Sequence, residues 1–508
     1  MAFSVKPVFQ QSLDGSLLIN AHTTISYSQE FSEEINPLKT FWKNNWQSPI
    51  KEVLFGDINI IIDFQLTIEE YHILVTNKQV IVSAKTKQGM KYGIAALLNL
   101  IRQENNQFFI DCQEIRDYPA FSYRGFMLDV SRHFFPIRTI KKIMDAMFSL
   151  KLNVFHWHFS DDQGWRIESK LFPKLHEIGS ISPNNEVGLD GSLAQQYYTQ
   201  KEIKEILAYA NERNIEIVPE MDIPGHSIAI LAAYPHLSHH STLQVKTTYG
   251  IADEIMCLGN EQLLPFLKSL IDEMVDLFKP NYFHLGSDEA KLLECEKCEH
   301  CIKVKNQLHL SSFSGLQAYL INELNDYLKT KKIQTIVWND IAKEKINPNI
   351  IVQHWKPFTW KQTLAAQERG HQVLISPFFN YYLDYPYKMT SLKKVYDYNP
   401  FLMKRLKKEN VLGLEAPLWT EWIAAEDKLF FHMFPRLMAF ADSAWRGFTN
   451  KSYHVFVDNL PYSYKWLDDN NIYYAKFKEK DNCFISRLLG TIKWIKNKNG
   501  EYEKQKED

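Results

Sequence analysis

A parallel (β/α)8 barrel, an α/β fold, preceded by a small α+β domain is what this sequence predicts, on three observations. After Asp117-Tyr-Pro-Ala-Phe121, short apolar runs alternate with stretches of helical periodicity, the order of β-then-α units around a parallel barrel. Nearly every run ends in charged, His or Trp residues, and barrel enzymes collect their working groups at the carboxyl ends of their strands. The rival, an open doubly wound sheet, calls for a Gly-rich phosphate loop after its first strand, and none follows here.

The elements follow in chain order. Residues 1–117 read as the α+β domain: 58–64, 71–75 and 80–84 are short, β-branched-rich runs, and 89–102 carries Tyr92, Ala95, Ala96, Leu98, Leu100 and Ile101 at helical spacing. Residues 118–470 read as the catalytic barrel, with strands at 125–130, 153–159, 215–221, 282–285, 334–338, 350–355, 372–375 and 411–415. Helical patterns fill 137–150, 199–213 and 262–278 between them. Residues 471–508 end Lys- and Glu-rich and read as a C-terminal tail, partly disordered.

Composition excludes several classes. At 508 residues and 45% hydrophobic the chain can bury a large core, and a net charge of -2 offers nothing to nucleic acid or an anionic membrane surface. No run approaches the ~18–20 apolar residues of a membrane span. The start, Met1-Ala-Phe-Ser-Val-Lys-Pro-Val8, lacks the basic head and apolar stretch of a secretory signal, and the cysteines are not spaced as a disulfide framework. The expected location is therefore the cytoplasm. Twelve Trp and 25 Tyr are a density often found around sugar sites, although most such rings are core.

Chemistry concentrates in Asn281-Tyr-Phe-His-Leu-Gly-Ser-Asp-Glu-Ala290. An apolar run reaches His284, and a small-residue turn then delivers the adjacent carboxylates Asp288 and Glu289. Neighbours in a regular strand face opposite ways, so these two share a pocket only where the chain is leaving the strand. Two carboxyls at such an exit suit acid–base catalysis. A lone Asp-Glu is ordinarily a solvated junction; the motifs around this one reverse that reading.

Tyr123-Arg-Gly-Phe-Met-Leu-Asp-Val-Ser-Arg-His-Phe-Phe-Pro136 resembles the first barrel strand of the family 20 glycoside hydrolases, the β-N-acetylhexosaminidases. Asn153-Val-Phe-His-Trp-His-Phe-Ser-Asp-Asp-Gln-Gly-Trp-Arg166, Pro219-Glu-Met-Asp-Ile-Pro-Gly-His226 and the 281–290 motif resemble later strands, and the resemblance runs from near Ile81 to Asp469. It implies a catalytic barrel behind a small α+β domain. It also implies exo-acting, retaining hydrolysis of terminal non-reducing GlcNAc or GalNAc, the substrate being a glycan, glycoconjugate or chitooligosaccharide. Adjacency of Asp288 and Glu289 disfavours a facing acid and nucleophile and suits substrate-assisted catalysis, in which the 2-acetamido oxygen attacks the anomeric carbon to give an oxazolinium intermediate. Such chemistry requires no metal and no organic cofactor.

The resemblance also assigns roles. Glu289 protonates the leaving oxygen and then deprotonates water; Asp288 holds the acetamido N–H and stabilises the developing positive charge. His226, oriented by Asp161, keeps Glu289 protonated near neutral pH. Arg132 grips the sugar's O3 and O4. Trp338, Trp355 and Trp419 form an apolar box for the acetamido methyl, and Tyr382 donates its hydroxyl to the acetamido oxygen. Asp384 and Glu421 accept from the O4 and O6 hydroxyls and cap the non-reducing end. His284 and Arg124 read as structural.

Some positions depart from the family pattern: Ser287 where a second Gly is common, Trp338-Asn-Asp340 for Trp-Asp-Glu, and Asp442 where Glu is frequent. Cys295-x-x-Cys298-x-x-Cys301 supplies three thiols, but with no second pair apparent and His300 too close in sequence, no metal is assigned. Two rival readings stand beside the main one: a catalytically silent sugar-binding barrel, and a member that releases disaccharides or cuts within chains.

Overall fold

The computed structural model describes residues 5–183, 193–449 and 451–477. They form two compact units, one drawn from Met1–Ser122, Phe148–Leu152 and Ala441–Asn471, the other from Tyr123–Met147, Asn153–Phe440 and the residues from Ile472 onward. The tail expected from 471 is described only as far as Phe477; the remainder of that expectation lies outside the described residues.

The first unit is built on an eight-stranded sheet. Tyr71–Val75 and Val80–Ala84 pair antiparallel, and Val80–Ala84 pairs parallel with Ile58–Ile62. Their alternate residues, Ile58, Ile60, Ile73, Val75, Val80 and Val82, are fully buried, the period-2 pattern of a sheet with one covered face. The helix Lys87–Leu100, capped by the Thr86 hydroxyl accepting from Gly89 N–H, buries Met90, Tyr92, Ile94 and Leu97. Two eleven-residue strands were not legible in the sequence: Phe9–Ile19 and Gln107–Asp117, which pair antiparallel. The first is exposed along most of its length and rich in Gln and Ser, so it has no apolar period; backbone pairing defines it.

The second unit is the expected closed barrel. Its eight parallel strands run Tyr123–Asp129, Val154–His158, Glu216–Glu220, Tyr282–His284, Gln334–Trp338, Ile351–His354, Val373–Ile375 and Val411–Leu418, and the last pairs with the first. All lie within a few residues of the apolar runs, because strands buried on both faces read as near-continuous hydrophobic segments. The helices Ile137–Ser149, Gln200–Glu212 and Leu263–Phe278 fill the expected crossovers, the second starting at a capping box between Thr199 and Glu202.

Side chains fill the barrel in layers, as parallel barrels require. An apolar layer of Tyr123, Val154, Val218, Ile336, Ile351 and Leu374 packs together. The inward residues His156, Glu220, His284 and Glu415 form a second, polar group, each fully buried. Glu415 accepts from Tyr123 Oη (2.8 Å) and Gln353 Nε2 (2.6 Å) and lies 2.9 Å from His156 Nδ1. Glu220 lies 3.1 Å from both His156 Nε2 and His284 Nδ1. His284 is thus a barrel-interior residue paired with a carboxylate, the structural role read for it. Among the described residues no helix is long and apolar enough to cross a membrane.

Candidate active site

The exit from the Tyr282–His284 strand is tightly wound. Gly286 (φ 58°), Ser287 (φ 79°) and Glu289 (φ 46°) all take left-handed backbone, as does His226 (φ 48°) at the neighbouring strand exit. Such conformations in non-glycine residues concentrate where a fold holds a functional geometry. A Cβ on Gly286 would stand 1.7 Å from Asp222 Oδ1, so no larger residue fits. Ser287 adopts what a glycine would take without strain, at a cost of about 1 kcal/mol. Compensation is visible: its N–H donates to Asp222 Oδ1 (3.0 Å) and its hydroxyl accepts from Gln317 Nε2 (2.9 Å). The turn sends Asp288 inward, 7% exposed, and leaves Glu289 on the pocket wall with 22% of its side chain accessible.

From Glu289 a chain of charged groups runs across four strand ends. His226 Nε2 stands 3.7 Å from Glu289 Oε2, and its Nδ1 is 3.1 Å from Asp161 Oδ1. Asp161 Oδ2 receives Arg132 Nη2 (2.7 Å) and His158 Nε2 (2.9 Å). His158 in turn bonds Glu220, whose other oxygen accepts the Trp338 indole N–H (2.9 Å). Burial works against charge on His226, but Asp161 first, then Glu289 and Asp288, hold its imidazole well above the ordinary value, as a cation. Burial likewise raises the Asp161 carboxyl, and Arg132, His226 and His158 together outweigh it and keep Asp161 ionised.

The two adjacent carboxyls are tuned apart. Burial pushes Asp288 up to about 7, with the charges of Asp340 and Glu289 adding to the effect against the His226 cation. Burial also raises Glu289, but the facing His226, Lys356 and Arg132 overcome this and leave it below its ordinary value. The expectation that His226 keeps Glu289 protonated therefore does not describe the unliganded protein. The reason is that His226 is itself charged, and an imidazolium stabilises the carboxylate.

Four aromatic rings close on one another beside these carboxyls. Trp338 meets Trp355 (6.4 Å, edge-on), Trp355 stacks on Tyr382 (6.1 Å), Tyr382 meets Trp419 (6.4 Å) and Trp419 returns to Trp338 (6.1 Å). The three tryptophans expected around an apolar box and the tyrosine expected beside it thus form one ring. Burial raises the Tyr382 phenol well above its usual value, so the hydroxyl stays a donor. Asp340 fixes Trp355, accepting its indole N–H (2.8 Å) while bonded to Lys356 Nζ (2.5 Å). The departure at Asn339-Asp340 is therefore used to set an aromatic wall.

Arg132 lies over the Trp419 ring, 5.0 Å from its centroid, with its Nε donating to Gln163. Asp129 ties this corner together: its Oδ1 accepts from the Ser131 and Arg132 N–H groups and its Oδ2 from the Thr420 N–H and hydroxyl. Arg132 Nη1 is also 3.5 Å from Asp129, so the arginine pairs with both Asp129 and Asp161. Glu421 sits in the field of Arg132, and Asp384 in that of Glu421; burial raises both carboxyls, Asp384 well above its ordinary range. The sequence-assigned residues thus gather around one site, Asp384 and Glu421 through the charges they feel there. Among the described residues, Asp288 Oδ1, Asp384 Oδ1 and Asp162 Oδ2 are buried site oxygens without a hydrogen-bond partner. Asp222, Glu220, Asp340 and Lys356 belong to this site and were not assigned from sequence. Asp222 and Glu220 stand inside the quoted Pro219–His226 motif, which was the available signal.

Carboxyls of divergent pKa, an arginine fork and an aromatic box thus gather at the carboxyl ends of a parallel barrel, where barrel enzymes place their sites. The profile described as "Glycosyl hydrolase family 20, catalytic domain" matches residues 121–448, and the one described as "Glycosyl hydrolase family 20, domain 2" matches residues 6–118. The chain belongs to glycosyl hydrolase family 20. A beta-hexosaminidase from Porphyromonas gingivalis is 32% identical over 495 residues, spanning 91% of this chain and 62% of its own length. One from Akkermansia muciniphila is 30% identical over 410 residues, 78% of this chain and 83% of its own. The crystal structure of a β-N-acetylhexosaminidase from Bacteroides fragilis matches with a TM-score of 0.83 at 29% identity, over 94% of this chain and 98% of that one. The chain thus spans less than two thirds of the Porphyromonas relative and nearly the whole of the Bacteroides structure.

Proposed function

We propose that the protein is an exo-acting, retaining β-N-acetylhexosaminidase that removes terminal non-reducing GlcNAc or GalNAc from a glycan, with the substrate's acetamido oxygen as nucleophile. The observation that carries this reading is Asp288 Oδ1, a buried acceptor without a protein partner beside a closed ring of aromatics. An acetamido group has the matching parts: an N–H for Asp288, a methyl for the tryptophans, and a carbonyl oxygen for the Tyr382 hydroxyl. With the oxygen so held below the anomeric carbon, no second protein carboxylate is needed as nucleophile.

Glu289 supplies the acid. In the free protein it is an anion facing the His226 cation, 3.7 Å away. A bound sugar covers the exposed part of its side chain, and loss of water favours the neutral acid over the carboxylate. The one proton carried by the His226–Glu289 pair then resides on Glu289, which passes it to the leaving oxygen. In the second half-reaction Glu289 takes a proton from water attacking the oxazolinium, giving net retention. Asp384 Oδ1 is another buried acceptor without a partner among the described residues, and with Glu421 and Arg132 it would cap the sugar's outer hydroxyls, which restricts action to chain ends.

An aryl β-GlcNAc and the matching aryl β-glucoside test the reading. The first is cleaved and the second left essentially intact; comparable rates on both would refute an acetamido nucleophile. Glu289→Gln should slow poor leaving groups far more than activated ones, and equal losses would remove its role as acid. A well-folded protein that turns over no N-acetylhexosaminide would instead support the silent sugar-binding barrel.

A further inference from the structure

Two of the three thiols after the Asp288-Glu289 pair, Cys298 and Cys301, acquire partners from elsewhere in the barrel unit. Cys298 caps the helix Glu299–Gln307, whose first turn carries Cys301. Cys257 and His239 come from the long connection between the strand Glu216–Glu220 and the helix Leu263–Phe278. The Sγ of Cys257 stands 3.7 Å from that of Cys298 and 3.8 Å from that of Cys301, and Cys301 Sγ stands 3.6 Å from His239 Nε2. All four ligand atoms lie within 4.8 Å of one another.

These separations fit a specific geometry. With Zn–S near 2.3 Å and Zn–N near 2.0–2.1 Å, a tetrahedral site has edges of about 3.8 Å between sulfurs and about 3.5–3.6 Å from sulfur to nitrogen. A disulfide would bring two sulfurs to about 2.05 Å, and the cysteines here are free.

The surroundings are also those of a ligand set. The Gly259 N–H donates to Cys301 Sγ (3.2 Å), a bond that favours thiolate. A Cβ at Gly259 would stand 2.2 Å from the Cys301 nitrogen, so this approach requires glycine. His239 Nδ1 lies 3.3 Å from Glu294 Oε2, close enough for the carboxylate to attract the ring although the two are not aligned as a hydrogen bond, and Nε2 is left toward the sulfurs.

We propose that His239 Nε2 and the sulfurs of Cys257, Cys298 and Cys301 bind one zinc ion in a closed tetrahedral site. Four protein ligands leave no position for water, so the ion is structural. It clasps the connection carrying His239 and Cys257 to the helix that follows Glu289. That connection also reaches the other strand ends: Lys246 N–H donates to Asp162 O (3.0 Å), Gln163 Nε2 to Thr248 O (2.8 Å), and Tyr249 Oη meets His133 Nε2 (3.1 Å). The ion therefore pins a segment that borders Asp161 and Arg132 without touching substrate.

Metal analysis of the full-length protein, purified with a thiol reductant and desalted, tests this. Wild type carries about one zinc per chain. Cys298→Ser, at a half-buried position, and His239→Ala lower the content at least ~10-fold, and Cys112→Ser in the first unit leaves it unchanged. Glu294→Gln keeps the ion but weakens it ~10–100-fold against a competing chelator. Should the ligand variants fail to fold, cobalt exchanged into wild type reports the same site through the intense visible bands and sulfur-to-metal charge transfer of a tetrahedral thiolate complex. Wild type free of zinc, a thiol count two short of the six cysteines after denaturation in chelator, or zinc retained in folded Cys298→Ser would each overturn the proposal.

Discussion

Asp117 and Asp288 are both buried aspartates, and the protein treats them in opposite ways. In the first unit, Asp117 accepts from Tyr71 Oη (2.7 Å), Trp445 Nε1 (2.7 Å) and Val8 N–H (3.0 Å), and pairs with Lys151 Nζ. Both of its oxygens are satisfied by the fold. Asp288 has one oxygen without a partner, and burial pushes its carboxyl up to about 7. A buried carboxylate supplied with donors holds a structure together; one deprived of them costs the structure stability and is available to a ligand.

The largest separation between the two should appear on substitution. Asp288→Asn keeps an amide oxygen as acceptor but removes the carboxylate charge that strengthens the bond to the acetamido N–H and lies under the developing cation, so kcat/KM should drop about 10²–10³-fold on an aryl β-GlcNAc. Its folded protein should be no less stable. A carboxyl whose folded pKa exceeds its unfolded value penalises folding when ionised, a penalty that grows between about pH 4 and pH 7 and is complete above that. Asn lifts it, so thermal unfolding at pH 8 should occur at the same temperature as wild type or higher. A lower midpoint would mean that Asp288 is a structural residue after all.

Asp117→Asn should show the reverse. Removing the charge weakens the pairing with Lys151 Nζ and the bonds from Tyr71 Oη and Trp445 Nε1 in a buried cluster, a loss of about 3–5 kcal/mol measured by denaturant unfolding. The kcat of the remaining folded fraction should be unchanged. A marked fall in kcat at full folding would break the distinction between the two aspartates.

The pH profile sharpens the contrast. Because kcat/KM follows free-enzyme groups, activity should fall on the acid side as Asp288 takes up its proton near pH 7. The residual activity of Asp288→Asn should lack that limb. The smallest effect belongs to Ser287→Gly, which relieves a left-handed serine but loses the hydroxyl bond to Gln317; the two nearly cancel, and stability should shift by no more than about 1 kcal/mol.

The barrel was legible because parallel strands buried on both faces leave continuous apolar runs, and because their polar ends fall in register. The Phe9–Ile19 strand was not, since its exposed Gln- and Ser-rich face carries no period. At the site, Asp288, Glu289, His226 and Arg132 lie in long ordered motifs and could be assigned singly. Their mutual tuning could not. The His226 charge that lowers Glu289 depends on Asp161 from another strand end, and Asp222 meets Asp288 only through the left-handed turn at Gly286 and Ser287. The thiol cluster was hidden for the same reason, two of its four members, His239 and Cys257, coming from a connection far away in sequence.

Replacing the acetamido methyl hydrogens of an aryl β-GlcNAc stepwise by fluorine tests most directly whether the substrate brings the nucleophile. Fluorine withdraws electron density from the carbonyl oxygen while leaving the sugar and leaving group unchanged. If Asp288 aims that oxygen at the anomeric carbon, kcat/KM falls steeply with each fluorine, by roughly tenfold or more across the series, about 1.4 kcal/mol of lost transition-state stabilisation. A rate indifferent to fluorination would contradict the account and require a nucleophile from the protein.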